Sequence, residues 1–183
     1  MKKLLFNPLS LAVVFTILLS CSEKQDFNQF DDLSITPTLT SSILYLESDE
    51  QFINTLSAFD AFYSQTVNFD AFNEQYVAER LLEGKIIYEF ENTTSKRLNI
   101  AIDFLDEGGG VLDTESFDVE PATTPAQTTE ITYGPSGKSL DILRATSGLR
   151  ITGTNLSDAT SVSTASEPKI IMRSAAEFLF RLK

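Results

Sequence analysis

The sequence predicts a mainly β fold, an antiparallel immunoglobulin-like β-sandwich of about seven strands with a short helical insertion near residues 49–76. Three observations predict it. Apolar and polar residues alternate through most of the chain beyond residue 80, which is the period of a half-buried strand. Turn-forming clusters such as "NTTSK", "EGGG" and "GPSGK" punctuate those runs. Between residues 49 and 76 the apolar spacing changes to three and four, as on one face of a helix.

The first strand starts at Leu33. Leu33, Ile35, Leu39, Ile43 and Tyr45 occupy odd positions with Thr and Ser mostly between them, interrupted by Pro37 as an edge strand allows. Ser48 followed by Gln51 resembles a capping box, and Phe52, Leu56, Phe59 and Tyr63 then recur at helical steps, so a helix is expected over residues 49–64. A second short helix is expected over residues 68–76, with Phe69, Phe72 and Tyr76 on one side. "FDAFYSQ" and "FDAFNEQ" look like a repeat, but two copies cannot build a solenoid.

Strands resume at residue 81. Ile86, Tyr88 and Phe90 alternate with Glu89 and Glu91, and Gly84 sits where a bulge would fall. Residues 92–97 turn, residues 98–106 return with Leu98, Ile100, Ile102 and Phe104 facing one way, and residues 111–120 complete an expected meander. Pro121 opens a connection to a short strand at 129–133. Residues 139–145 read as one helical turn or a bent crossover, and residues 149–155 as a further strand before a Ser/Thr-rich loop. In the last strand Met172, Ser174, Ala176, Phe178 and Phe180 alternate with Arg173, Glu177 and Arg181. A closing strand of this kind pairs with partners far away in sequence.

Composition narrows the chemistry. The chain has 14 basic and 26 acidic residues, a net charge of −12, and a surface of that sign is repelled by nucleic acid and by anionic headgroups. It has no His, which removes the usual general base and the commonest transition-metal ligand. "GPSGKS" follows a strand as a phosphate-cradling loop would, yet Thr132 stands where the opening glycine is required. Glu89 with Glu91, and Asp103 with Asp106 and Glu107, are the carboxylate groupings. No Trp is present to stack on a sugar, so these acids read as the solvated face of a sheet. Asp26, Asp31 and Asp32, or the 106–110 turn, offer oxygen ligands without the spacing of a calcium loop. No cofactor and no metal site are expected. The aromatic segment supplies the candidate partner-binding residues Phe59, Phe62, Tyr63, Phe69, Phe72 and Tyr76, which outnumber what one face of a short helix can bury; packing over one end of the sandwich is the competing reading.

The amino terminus carries the one specific signal. Lys2 and Lys3 are followed by an uncharged apolar run over residues 9–19, about half of the roughly 20 residues a spanning helix needs. "LLSC" at residues 18–21 resembles the lipobox of bacterial lipoproteins, in which signal peptidase II cuts before the Cys. That resemblance implies residues 1–20 as signal peptide and Cys21, the only Cys in the chain, as the lipid attachment site, its thiol carrying diacylglycerol and its amino group a further acyl chain such as palmitate. Ser22 after the Cys is similar to the pattern compatible with transfer to the outer membrane. Residues 21–32 read as an acidic tether, able to span on the order of 35 Å when extended. The tether is a solvated linker, or by its acids resembles the export signal of surface lipoproteins. Residues 33–183 then form the single sandwich domain, itself similar to small envelope lipoproteins with sandwich domains.

The expectation is therefore a non-enzymatic, membrane-anchored envelope lipoprotein, an accessory or scaffold subunit that binds another envelope protein. The alternative is a module binding a sugar, peptide or lipid.

Overall fold

In the computed structural model, which describes residues 34–56, 61–69, 71–72, 75–122 and 125–182, the strongest alternation in the sequence becomes a central strand. β8 (Lys169–Phe180) turns Ile170, Met172, Ser174, Ala176, Phe178 and Phe180 inward and lies between β1 (Thr38–Asp49) and β3 (Leu81–Asn92). β6 (Gln127–Tyr133) completes this first sheet, in the order β1-β8-β3-β6. The second sheet has the order β2-β7-β4-β5, formed by β2 (Tyr63–Asn68), β7 (Gly148–Asn155), β4 (Leu98–Leu105) and β5 (Val111–Val119). Every pairing in both sheets is antiparallel.

The antiparallel sandwich is the one the sequence predicts. It has eight strands, and their order is that of a jelly roll, two interleaved Greek keys, in place of the immunoglobulin-like order. The eighth strand is β2. Its residues run from the end of the first expected helix, at 63–64, to the start of the second, at 68, and the aromatic side chains on either side of it, Phe62, Phe69 and Phe72, close the core. The helix itself, α1 (Glu50–Thr55), is short and is capped by Asp49, whose carboxylate accepts from Phe52 N at 2.7 Å; Ser48 of the expected capping box still belongs to β1. The second helix, α2 (Gln75–Ala78), is a single turn. α3 (Leu140–Ala145) fills the helical option for that segment, with Ser139 as its cap.

Two further differences have local causes. A bulge between Ser42 and Tyr45 inverts the alternation of β1, so Leu44, Leu46 and Ser48 face the core and Tyr45 faces solvent. The expected meander breaks between β3 and β4, because residues 93–97 carry the chain from one sheet to the other. The core then forms where the sheets face one another, from Ile86, Tyr88 and Phe90 of β3, Ile100, Ile102 and Phe104 of β4, and Phe117 of β5. Phe117 lies 4.8 Å from the Tyr88 ring and 5.0 Å from that of Phe90, a tilted cluster in which each ring contributes about 1.5–3 kcal/mol by burial alone. Ion pairs run across the outer face of the first sheet, Lys85 to Glu177 at 3.0 Å and Arg173 to Glu89 at 3.0 Å.

Candidate functional site

At one end of the sandwich, α1, the β3–β4 turn and the loop following β7 meet over a buried polar network. Asn92 starts it. Its side-chain oxygen accepts from Thr94 N at 3.0 Å and from the Thr94 hydroxyl at 2.7 Å, and its amide donates to Lys96 O and Glu120 O. The turn is thereby locked, and it drives Lys96 inward until the side chain is 0% exposed. A buried ammonium must be satisfied on each of its protons. Lys96 Nζ donates to Ser161 O at 2.7 Å, to Ser161 Oγ at 2.7 Å and to Asp158 O at 2.9 Å, and lies 3.4 Å from Asp158 Oδ1.

Asp158 folds its own loop around that ammonium. Its carboxylate accepts from Ser161 N at 2.6 Å and Thr160 N at 2.7 Å, and these backbone bonds hold its carboxyl well below the usual aspartate range. Glu50, the first residue of α1, supplies the third arm. One of its oxygens accepts from Ser95 N at 2.6 Å and Ser95 Oγ at 2.5 Å, the other from Ser163 N at 2.8 Å. Burial pushes the Glu50 carboxyl up, but those three bonds and the charge of Lys96 outweigh it, leaving it below the ordinary glutamate range.

The network fixes the walls of a groove of about 850 Å³ between α1 and residues 162–169. Gln51, Asn54 and Thr55 line one wall, and Val162, Ser166 and Pro168 the other. Glu47, Asp49 and Glu167 stand along it against Lys169 alone, so the groove favours a neutral or cationic occupant. Val162 is 70% exposed there, an apolar contact point held on a fixed loop.

A second buried carboxylate lies at the opposite edge of the sandwich. Glu115 of β5 accepts from Tyr133 Oη at 3.0 Å and Lys138 Nζ at 2.7 Å, and Lys138 also reaches Asp113 at 2.6 Å. The lysine of "GPSGKS" thus ties β5 to the turn after β6, and Gly137 N donates to Gly134 O within that turn. Added Cβ atoms cannot fit at Gly137, where one would lie 2.0 Å from Thr132 O. Burial, with the nearby Glu115, pushes the Tyr133 and Tyr88 phenols well above the ordinary value of 10.0.

Raised phenol values set an alkaline limit. Stability from these two tyrosines is fully present below pH 10 and is lost as the pH climbs, because the unfolded chain releases protons that the folded one retains. The unfolding free energy is expected to fall by about 1.4 kcal/mol per pH unit for each buried phenol. The chain has no Trp and 5 Tyr, so absorbance at 295 nm reads phenolate directly. Denaturant titrations at pH 9, 10 and 11 check the slope, with Tyr88→Phe expected to remove about half of it.

The carboxylate groupings singled out in the sequence are engaged with other protein groups: Arg173 for Glu89 and Glu91, Arg150 for Asp103 and the 106–110 turn for Asp106. Asp103 accepts from Arg150 at 2.6 Å and from the Thr114 hydroxyl at 2.6 Å. Asp106 accepts from Gly110 N at 2.7 Å. Among the described residues no three His, Cys, Asp or Glu side chains converge on a metal position. Cys21, Asp26, Asp31, Asp32 and Phe59 lie outside the described residues.

The aromatic segment does not form one exposed face. Phe62 is buried with its ring over Gly153, where a Cβ would lie 2.6 Å from the ring carbon, and Phe72 packs edge-on against Phe178 at 5.0 Å. Phe69 is buried beside Phe72 at 6.0 Å. These three phenyls are core, in correction of their expected place on a partner surface, because β2 is a strand of the sandwich and the turns flanking it fold back over its open end. Tyr63 is half-buried, and Tyr76 is exposed beneath the Arg80 guanidinium at 3.4 Å. Sequence reasoning missed Glu50, Lys96 and Asp158. The available signal was Asn92 two residues before Thr94, followed far downstream by an Asp inside a Ser/Thr-rich loop.

No family model matches the chain, and no curated protein matches it. Solved structures similar to it include the infectious bursal disease virus VP2 subviral particle, at 8% identity and a TM-score of 0.40, over 82% of this chain and 33% of that one. Desmodium yellow mottle tymovirus is similar at 7% identity and a TM-score of 0.35, over 82% of this chain and 89% of that one. Pili of Bacillus endospore appendages are similar at 10% identity and a TM-score of 0.31, over 80% and 88% respectively. The chain spans about a third of the length of the bursal disease virus protein.

Proposed function

We propose that the protein is a non-enzymatic lipoprotein, anchored in the outer membrane through acylated Cys21, and an accessory subunit that receives a segment of another envelope protein in the groove beside α1. The observation that carries this reading is the groove's construction. Its walls are held by Glu50 and Lys96, whose charges are saturated by protein partners and are therefore positioned to support a binding surface, not to react. A tethered module of this kind works at high effective concentration near a membrane partner, so a modest interface suffices. The rim acids suit a partner segment carrying Lys or Arg.

A small polar ligand is the second reading, favoured by the amide and hydroxyl groups of Asn54, Thr55 and Ser166 in the lining. A photo-crosslinking residue placed at Val162 in living cells separates the two. One discrete envelope protein captured from Val162, and absent when the probe is at Leu112 on β5, supports the accessory role. Equal capture from both positions contradicts it, and capture from neither shifts the reading to the small ligand.

A further inference from the structure

We propose that two copies of this chain pair edge to edge through β1, antiparallel and continuous with the first sheet, about a two-fold axis at Leu39. The inference goes beyond the anchored-subunit reading and does not rest on it.

Four strands edge the two sheets, and they differ in how they are guarded. β5 carries Asp113, Glu115 and Asp118, β6 carries Glu130, and β2 is only 6 residues long. β1 has 12 residues, and no charged residue occurs over residues 35–46 of a chain with net charge −12. Exposed edges of that length are normally protected by charge, proline or a bulge, since unpaired N–H and C=O groups template a further strand. On β1 both available guards miss the edge.

The register shows why. Leu182 N donates to Ile35 O at 2.9 Å and Phe180 N to Pro37 O at 3.0 Å, in step with the Thr38↔Leu179 to Ser42↔Ala175 pairs. The odd residues over 35–41 therefore aim their backbone groups at β8, and Thr36, Thr38, Thr40 and Ser42 aim theirs away from the sheet. Pro37 lacks its N–H on the β8 side, so the proline leaves the outer edge intact. The bulge begins only after Ser42. Among the described residues the Ser41 hydroxyl competes for that edge, donating to Ser42 O at 3.1 Å from an exposed position.

One antiparallel register uses all four outward-facing residues. It sets Thr36 opposite Ser42 and Thr38 opposite Thr40 of the second copy, each pair exchanging two N–H···O bonds. Leu39, 58% exposed as it stands, then meets its own counterpart on the two-fold axis. Acidic molecules would repel one another elsewhere, whereas here Glu177, opposite Thr40 on β8, is held by Lys85 at 3.0 Å, and Glu47, beyond the paired stretch, by Lys169 at 2.8 Å.

Leu39→Cys in the full chain tests the arrangement under mild oxidation, read on a non-reducing gel. A pair that is not hydrogen-bonded brings Cα atoms to about 4.5 Å, within disulfide reach. Leu39→Cys is expected to form dimer on the order of ten-fold faster than Val111→Cys on the exposed part of β5, and Thr40→Lys added to it is expected to return the rate to that control. Both variants keep Cys21, so any crosslinking through it is common to the two. Equal rates for Leu39→Cys and Val111→Cys, or a rate indifferent to Thr40→Lys in a variant with unchanged circular dichroism, would overturn the proposal. Either failure leaves the anchored-subunit reading standing.

Discussion

Glu50→Ala is expected to lower the unfolding free energy by about 4 kcal/mol, the largest loss from a single substitution outside the apolar core. Three donors lose their acceptor at once, namely Ser95 N, Ser95 Oγ and Ser163 N, around a carboxylate that is itself buried. The positive charge of Lys96 loses one of its two nearby countercharges and keeps Asp158 at 3.4 Å. Glu50→Gln keeps the shape and one acceptor oxygen but turns an amide donor toward another donor, so it is expected to cost about half as much. Urea unfolding followed by tyrosine fluorescence measures both.

The same carboxylate fixes the acid side of the stability profile. Its folded-state pKa lies below the ordinary value of 4.5, so its contribution is present above that value and lost as the pH falls through the folded one. Glu50→Gln should therefore flatten the acid limb relative to the natural protein. Lys96→Met is expected to loosen residues 157–163, seen as early proteolysis there, because the loop's Ser161 and Asp158 carbonyls then lose their donor. Together with Glu50→Gln it forms a cycle whose coupling energy reports how far the network acts as one unit.

Much of the fold was legible because apolar periodicity and burial coincide. β8 and β4 show every alternate residue inward, as the sequence indicates. β2 was illegible for a definite reason. Phe62, Phe69 and Phe72 sit at spacings that mimic a helix face, yet each enters the core from a different piece of backbone, and the strand between them is polar because it lies at an edge. The bulge in β1 was equally hidden, since Ile43, Leu44, Tyr45 and Leu46 allow either face to be chosen. At the candidate site, Lys96 in "NTTSKR" reads as a solvent-exposed turn lysine. Only the tertiary arrival of Ser161 and Asp158 makes its burial tolerable, and a sequence separation of that size leaves no local trace. Glu50 likewise reads as a favourable acid in the first turn of a helix, which it is, without betraying the loop it holds.

Anchoring at Cys21 is the claim on which the functional account turns, and its expected effect is all or none. Each acyl chain contributes about 0.8 kcal/mol per buried methylene, and two or more chains make attachment stable. A net charge of −12, which loss of Lys2 and Lys3 with a signal peptide would make more negative, gives the chain no electrostatic route to an anionic surface. Labelled palmitate supplied to growing cells measures the modification directly. The account predicts label in the natural protein and none in Cys21→Ser, which should accumulate as an uncleaved, heavier precursor. An unlabelled natural protein, or label retained after Cys21→Ser, would contradict it.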